Sequence, residues 1–158
     1  ADLPSQALGG ICSLCFGELV AETFLAVGGT FGNVHMYSIR DESGITTRRQ
    51  TLAAHSYNAK VNAMAFGSDC FASGGSDGSV RVYAISSWQC IGRVALYWNS
   101  GIASLDIKSG ILVFGLEHGT VRVHLLQALV AASTHSAEPR ADSPKLCEIR
   151  DIVCGEPH

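Results

Sequence analysis

The chain has 158 residues, which is long enough for one domain with a hydrophobic core. Hydrophobic residues make up 47% and charged residues 16%, so the composition argues against a disordered chain. The net charge of −3 argues against the basic surface that nucleic-acid binding needs, and no apolar run reaches the ~18 residues of a membrane span.

Short apolar segments rich in Val, Ile and Phe alternate with turns of Gly, Ser, Asn and Asp, a pattern that predicts β-strands. The predicted strands of a first unit are 11–16, 23–28, 33–39 and 49–54. Those of a second are 60–66, 70–74, 79–85 and 89–95, and those of a third are 102–107, 111–115, 120–126 and 145–153. Because the connections are short, neighbouring strands should be antiparallel. We predict an all-β chain of three four-stranded units, at 1–54, 55–97 and 98–158.

One glycine-centred phrase occurs three times, between the second and third strand of each unit. It reads GGTFGNVHMY at 28–37, GGSDGSVRVY at 74–83 and GLEHGTVRVH at 115–124. The central glycines, Gly32, Gly78 and Gly119, are separated by 46 and 41 residues. A period near ~40 residues indicates one supersecondary unit that is repeated and stacked. Stacked repeats usually form a binding surface rather than a catalytic cleft.

An insertion at about 127–144 interrupts the third unit. Residues 125–132 are compatible with one or two helical turns, and the polar, proline-containing stretch that follows predicts an exposed loop. Residues 145–153 should then return as the outer strand of the third unit. We interpret the loop as a tolerated surface insertion; the alternative is a regulatory segment whose Ser and Thr side chains are modified.

Six cysteines are irregularly spaced, at positions 12, 15, 70, 90, 147 and 154. Cys12 and Cys15 form a C-x-x-C, but residues i and i+3 of a strand point to opposite faces and cannot clamp a metal. A chain of this size needs no disulfide staples, and free Cys is among the most buried residue types. We therefore expect buried free thiols, with no metal and no cofactor.

The repeats resemble the WD40 family of β-propellers over about residues 10–126. In that family a Gly-His pair precedes the first strand, an Asp occupies the hairpin turn and a Trp-Asp pair ends the third strand. The second unit is the most similar, with Ala54-His55, Asp77 and Tyr83-Ala84 at these places. The other units depart further. Tyr37-Ser38 and His124-Leu125 replace Trp-Asp, and Phe31 and His118 replace the turn Asp.

The resemblance implies a buried hydrogen-bond network in the second blade, formed by His55, Ser73, Asp77 and Tyr83, with the phenol replacing an indole. Buried polar groups must be paired, so we interpret this network as structural. His55, Ser73 and Asp77 are also the residue types of a hydrolase triad, and a propeller hydrolase is therefore an alternative function.

Propellers close with about four to eight blades, so three blades would leave two apolar faces exposed. We expect a β-propeller segment that is not a closed ring by itself. It is either an excerpt of a ring of about seven blades or the complement of blades from another chain.

The resemblance also implies that the loops entering the first strands and the hairpin turns share one rim. Aromatic side chains on such a rim are typical of protein interfaces. We predict a rim that binds a protein or peptide partner through Phe31, Tyr57, Asn58, Trp98, Asn99, Glu117 and His118. For Trp98, packing against a neighbouring blade is an equal alternative.

The leading function is therefore a protein-interaction scaffold in the cytoplasm or nucleus, without nucleic acid as a partner. The competing function from a different class is an architectural segment of a large assembly that binds through its blade edges.

Overall fold

The computed structural model describes residues 9–19, 22–40, 45–96, 100–134 and 149–153. They form three four-stranded antiparallel sheets, each a simple meander, which we call blades 1 to 3. Blade 1 contains β1 (Ile11–Leu19), β2 (Glu22–Gly29), β3 (Asn33–Arg40) and β4 (Ile45–Ala53). Blade 2 contains β5 (Val61–Phe66), β6 (Cys70–Gly75), β7 (Ser79–Ala84) and β8 (Cys90–Ala95). Blade 3 contains β9 (Ile102–Lys108), β10 (Ile111–Leu116), β11 (Thr120–Leu125) and β12 (Ile149–Val153). The predicted all-β, propeller-like segment is confirmed.

The blades are stacked in chain order, with blade 2 between its neighbours. The first strand of each blade contacts the first strand of the next, since β1 packs on β5 and β5 packs on β9. Each of the two seams holds an apolar cluster. Phe71 and Val61 lie in the cluster at the first seam, and Ile102 and Leu112 lie in the cluster at the second. These four side chains are fully buried, so the hydrophobic core of the molecule lies between the sheets.

Glycines in each blade make room for the first strand of the next blade. A Cβ atom on Gly28 would lie 2.9 Å from the Cβ of Val61, and one on Gly74 would lie 2.5 Å from the Cγ2 of Ile102. Both distances are shorter than real Cβ contacts allow, so the two glycines hold the same register position in successive blades. Any side chain at either position would push the next blade away.

Each first strand also carries a β-bulge close to these glycines, and side chains at two of the bulges bond to the next blade. Ser13 Oγ donates to the backbone oxygen of Val61 at 2.6 Å. Asn62 Nδ2 donates to the backbone oxygen of Ile102 at 3.0 Å. Bulges re-aim side chains out of the regular alternation, and here they add one polar bond to each apolar seam.

Two further side chains strengthen the first seam at its outer edge. Arg81 on β7 donates from Nη1 to the backbone oxygen of Ala53 at 3.2 Å. Trp88, which follows β7, lies with its ring 6.0 Å from that of Phe24 and 6.3 Å from that of Phe71. Trp88 therefore packs between blades 1 and 2.

The insertion in the third unit begins as the helix α1 (Leu126–Thr134), which joins β11 to the segment before β12. The helix contacts β8, the outer strand of blade 2, and its Leu129 is buried directly over Gly92. A connection within blade 3 thus fastens blade 3 to its neighbour. Residues 135–148, which include most of the predicted exposed loop, lie outside the described residues. Within the described ranges, no helix has the length and hydrophobicity needed to cross a bilayer.

The prediction that the cysteines are buried free thiols is only partly correct. Cys12, Cys15, Cys70 and Cys90 are all free, and Cys70 is buried. The prediction is wrong for Cys12 and Cys90, which are exposed. Cys12 is the extra residue of the β1 bulge, and Cys90 is the first residue of β8, the outer strand of blade 2. Cys147 and Cys154 lie outside the described residues.

Substitution of a glycine should be costly where another blade packs on it and nearly neutral where none does. We expect Gly28→Ala to lower the free energy of unfolding by about 1–3 kcal/mol, the usual cost of overpacking. Gly115 holds the same register in blade 3, and a Cβ there would meet only the Ser104 hydroxyl, at 3.0 Å. Gly115→Ala should therefore change the stability by less than about 0.5 kcal/mol. Urea denaturation measures both, and equal losses would contradict the proposed packing.

Candidate functional site

The hairpin turns between the second and third strands lie at one end of the blades, together with the loop that joins β4 to β5. We call the turns at 30–32, 76–78 and 117–119 and the loop at 54–60 the rim. The central turn residues Gly32, Gly78 and Gly119 have φ angles of +79°, +72° and +93°. Glycine adopts such angles without steric cost, which explains why the repeated phrase is centred on it.

Each turn is tied to the segment that enters the first strand of its own blade by the same pair of hydrogen bonds. In each turn, the residue two positions before the central glycine donates its N–H to the backbone oxygen of one residue in the entering segment. Its side-chain oxygen accepts a hydrogen bond from the N–H of that entering-segment residue. In blade 2, Ser76 N donates to Lys60 O at 2.9 Å and Lys60 N donates to Ser76 Oγ at 2.8 Å. Equivalent pairs join Thr30 to Gly10 and Glu117 to Gly101.

We call this pair of hydrogen bonds the clamp. The sequence analysis missed it, although the three repeated phrases contain its signal. Thr30, Ser76 and Glu117 all carry a side-chain oxygen at the same register. The chemical types differ, so the match is visible only when the position, and not the residue, is compared. Glu117, which is exposed, accepts a hydrogen bond from Gly101 N at 3.3 Å, and its contact with a partner stays a prediction.

His55 lies at the centre of a group of polar side chains in blade 2. Its Nδ1 is 3.0 Å from Asp77 Oδ1, and its Nε2 is 3.0 Å from Ser73 Oγ. Because a carboxylate only accepts, Nδ1 carries the proton shared with Asp77. Ser79 joins the group, with its Oγ donating to Asp77 Oδ1 at 2.8 Å. We call His55, Ser73, Asp77 and Ser79 the His55 network.

The side chain of His55 is fully buried, whereas that of Asp77 is 13% exposed. Burial alone raises the pKa of the Asp77 carboxyl, but hydrogen bonds from His55 and from the N–H of Ser56 oppose it. The Ser79 hydroxyl adds a further bond, and together these donors hold the pKa well below its ordinary range. Asp77 is therefore ionised and fully engaged at neutral pH.

Tyr83 was predicted to belong to this network, and the structure places it elsewhere. Among the hydrogen bonds of the described residues, none joins Tyr83 to Ser73. The Tyr83 ring lies in the apolar cluster of the first seam, with its centroid 6.3 Å from that of Phe71. Burial raises the pKa of its hydroxyl, and the charge of nearby Arg81 acts in the opposite direction. A phenol at this register packs in the seam and does not replace the bond that an indole would donate.

Two of the predicted rim residues form an exposed aromatic pair. The rings of Phe31 and Tyr57 are stacked, with centroids 5.6 Å apart and planes at 15°. Phe31 is half-buried in the turn after β2, and Tyr57, in the loop between β4 and β5, is 79% exposed. The pair presents a flat apolar surface to solvent.

The loop that carries Tyr57 is held by backbone bonds at both ends. His55 N donates to Gly32 O at 2.8 Å, and Ala59 N donates to Ser56 O at 2.9 Å. Asn58 completes the bend with a φ of +67°, in a region where Asn is enriched among non-glycine residues. These backbone hydrogen bonds therefore hold the loop that carries Tyr57 in one conformation.

The other predicted rim residues are not all brought together. Asn58 lies next to Tyr57 and is exposed. His118 is exposed on the blade 3 turn, where its Nε2 lies 2.9 Å from Thr120 Oγ1. Trp98 and Asn99 lie outside the described residues. In the described parts of the chain, no three His, Cys, Asp or Glu side chains are placed to hold a metal ion.

Comparison with known proteins gives evidence about the fold. No family model matches the chain, and no curated protein matches its sequence. Among solved structures, the computationally designed Ika4 protein is similar, with 25% identity and a TM-score of 0.60 over 75% of this chain and 68% of that one. A chain in the crystal structure of the mitotic checkpoint complex is similar with 23% identity and a TM-score of 0.56. That match covers 66% of this chain and 31% of the checkpoint chain.

Acid titration should reveal the Asp77 carboxylate. A carboxyl whose pKa is lowered by folding stabilises the protein above its unfolded pKa of about 3.9, and this contribution is lost as the pH falls towards the lower folded value. We expect Asp77→Asn to lower the free energy of unfolding by about 1–3 kcal/mol at neutral pH. The difference from the wild type should shrink steadily below about pH 4.

The control for this titration is Glu18→Gln, which also removes one acidic charge but at an exposed position of β1. Its effect on unfolding should be small at every pH. A difference between wild type and Asp77→Asn that stays constant down to pH 2 would show that Asp77 does not act through its ionised form.

Proposed function

We propose that the chain is a segment of a WD40-type propeller that serves as a protein-interaction scaffold, with the rim as its contact surface. The observation that carries this proposal is the stacked pair of Phe31 and Tyr57, whose outer ring is 79% exposed on an anchored loop. Large aromatic side chains are the commonest anchors of protein interfaces. A partner would cover the pair and exclude water from it.

The rigidity of the rim supports this role. Binding costs free energy when loops and side chains must be ordered, and a loop already fixed by hydrogen bonds avoids much of that cost. The bond from His55 N to Gly32 O connects the Tyr57 loop to the turn that carries Phe31. The two rings are thus held together before any partner arrives.

The His55 network supports the WD40 assignment. The family resemblance implies a network between a His before the first strand, a Ser in the second strand and an Asp in the hairpin turn. In this chain the His55 ring nitrogens lie 3.0 Å from Asp77 Oδ1 and 3.0 Å from Ser73 Oγ. The mitotic checkpoint complex, which includes a chain similar in fold, is an assembly of proteins, and this accords with a scaffold role.

The hydrolase alternative depends on the same atoms and is weakened by their burial. Asp77, His55 and Ser73 are connected in the order of a catalytic triad, but Ser73 has no exposed surface. A nucleophile must reach a substrate carbonyl at bonding distance. We therefore assign the His55 network a structural role: it fastens the loop before β5 to the turn after β6.

An architectural role remains the second candidate, and the open side of blade 1 favours it. Ile11, Leu14 and Phe16 on the first strand are 58%, 63% and 65% exposed. Such a row of large apolar side chains is typical of an interface.

A binding experiment tests the rim proposal. The double variant Phe31→Ala/Tyr57→Ala should weaken the recovery of protein partners in a pull-down by about tenfold or more, since hot-spot aromatics contribute at least ~2 kcal/mol. Leu125→Ala is the matched control, because Leu125 is an exposed apolar residue of blade 3 outside the rim. Recovery that is unchanged in the double variant, or reduced equally by the control, would refute the rim as the contact surface.

A chemical experiment tests the structural role of Ser73. We expect a serine-reactive fluorophosphonate to leave the folded protein unlabelled, because the Ser73 hydroxyl is enclosed. Ser73→Ala should instead lower stability by about 1 kcal/mol or more, since it leaves a buried His55 nitrogen unpaired. Stoichiometric labelling that disappears in a folded Ser73→Ala variant would establish the hydrolase in place of the scaffold.

A further inference from the structure

The exposed first strand of blade 1 repeats the pattern by which blades 2 and 3 bind their predecessors. Ile11, Leu14 and Phe16 are the exposed members; we call this surface the β1 face. Farther out on the same side, Val27 and Tyr37 are buried, so the open part of blade 1 is its first strand.

The bulges fix the equivalence between the three first strands. Ile11, Val61 and Ile102 each stand just before the bulge of their own strand, paired with the second strand of the blade. Counting from there, Leu14 corresponds to Met64 and Leu105, and Phe16 corresponds to Phe66 and Ile107. These counterparts in blades 2 and 3 all pack into the seam with the preceding blade.

The preceding blade receives these side chains with glycines. Val61 and Ile102 sit over Gly28 and Gly74, as described above. The Phe66 ring occupies the space where Gly17 would carry a side chain. In the same way, a Cβ on Gly67 would lie 2.9 Å from the Cγ2 of Ile107. A receiving blade therefore needs glycine at two registers, one near the rim and one at the far end of its first strand.

Blade 3 fulfils only the first of these requirements. Gly115 matches Gly28 and Gly74, and little stands over it. At the far end, however, Lys108 occupies the register of Gly17 and Gly67. Asp106 occupies the register of Cys15 and Ala65, between the two glycine positions. Both charged side chains are exposed.

These two charges make blade 3 a poor receiver for the β1 face. In the seam between blades 1 and 2, the Phe66 ring packs on Gly17, which has no side chain. At the same register of blade 3, the ring of Phe16 would collide with the side chain of Lys108. Closing the contact would also remove the Asp106 carboxylate from water beneath Leu14, which is costly unless a cation pairs with it. A second copy of the chain would bring this same blade 3 surface to the β1 face.

We propose that the β1 face binds a four-stranded blade of a partner that has glycine at both registers, and that Asp106 and Lys108 prevent a second copy of this chain from taking that place. At the first strand of blade 1, the contact repeats the registers of the two seams already present in the molecule. It does not depend on the rim, so either proposal can fail alone.

The test gives blade 3 the residues that blade 2 has at these registers. Wild-type protein should sediment as a monomer at concentrations where the variant Asp106→Ala/Lys108→Gly forms head-to-tail dimers and longer chains. We expect self-association of the variant to be at least about tenfold tighter than that of the wild type. Both positions are exposed, so the variant should fold; its circular dichroism and urea denaturation establish this.

Two additions to the variant identify the surfaces in contact. Phe16→Asp changes the β1 face and Gly115→Val changes the receiving face, and each should return the variant to a monomer. Tyr57→Ala on the rim should leave the association unchanged. If the double variant does not fold, Lys108→Gly alone should still associate more tightly than the wild type.

Three results would overturn the proposal. One is a folded variant that remains monomeric like the wild type. Another is wild-type protein that already associates and becomes monomeric with Phe16→Asp, because a second copy would then fit the β1 face. The third is association that Phe16→Asp removes but Gly115→Val does not, since the β1 faces would then bind each other.

Discussion

The close approach of each first strand to the blade before it is the constraint on which the rest of the structure depends. Glycines at Gly28 and Gly74 allow Val61 and Ile102 to pack directly on the neighbouring backbone. Because the blades stand this close, Ser13 and Asn62 reach a backbone oxygen across each seam. The apolar clusters between the sheets then become dense enough to serve as the hydrophobic core, which no single sheet could supply.

The same stacking positions the rim. It brings the loop before β5 beside the turn of blade 1, so that His55 N reaches Gly32 O and the Tyr57 ring lies on Phe31. The His55 network fixes the other side of that loop to blade 2 through Asp77. Hydrogen bonds to both blades therefore hold this surface in place, and it is the contact surface of the function proposed above.

Much of the fold could be predicted from the sequence, because glycine-centred turns and alternating apolar residues recur at a fixed register. The meeting of His55 with Ser73 and Asp77 was expected from the resemblance of the repeats to the WD40 family. The role of Tyr83 was not, since a phenol and an indole project their polar atoms differently and packing with Phe71 decides the outcome. The helix α1 was underestimated because its docking depends on the contact between Leu129 and Gly92, a neighbour in space that no local pattern shows. The clamp formed by Thr30, Ser76 and Glu117 was missed because three residue types perform one task.

The central claim is that successive blades pack in one register, with the residue before each bulge seated on the glycine of the preceding blade. Nuclear Overhauser spectroscopy on methyl-labelled protein tests it most directly. The account predicts strong cross-peaks from the Val61 methyls to the Gly28 α-protons and from the Ile102 methyls to the Gly74 α-protons. Absence of both, or contacts of Val61 and Ile102 with other residues of the preceding blade, would contradict the packing on which the rim and the β1 face both depend.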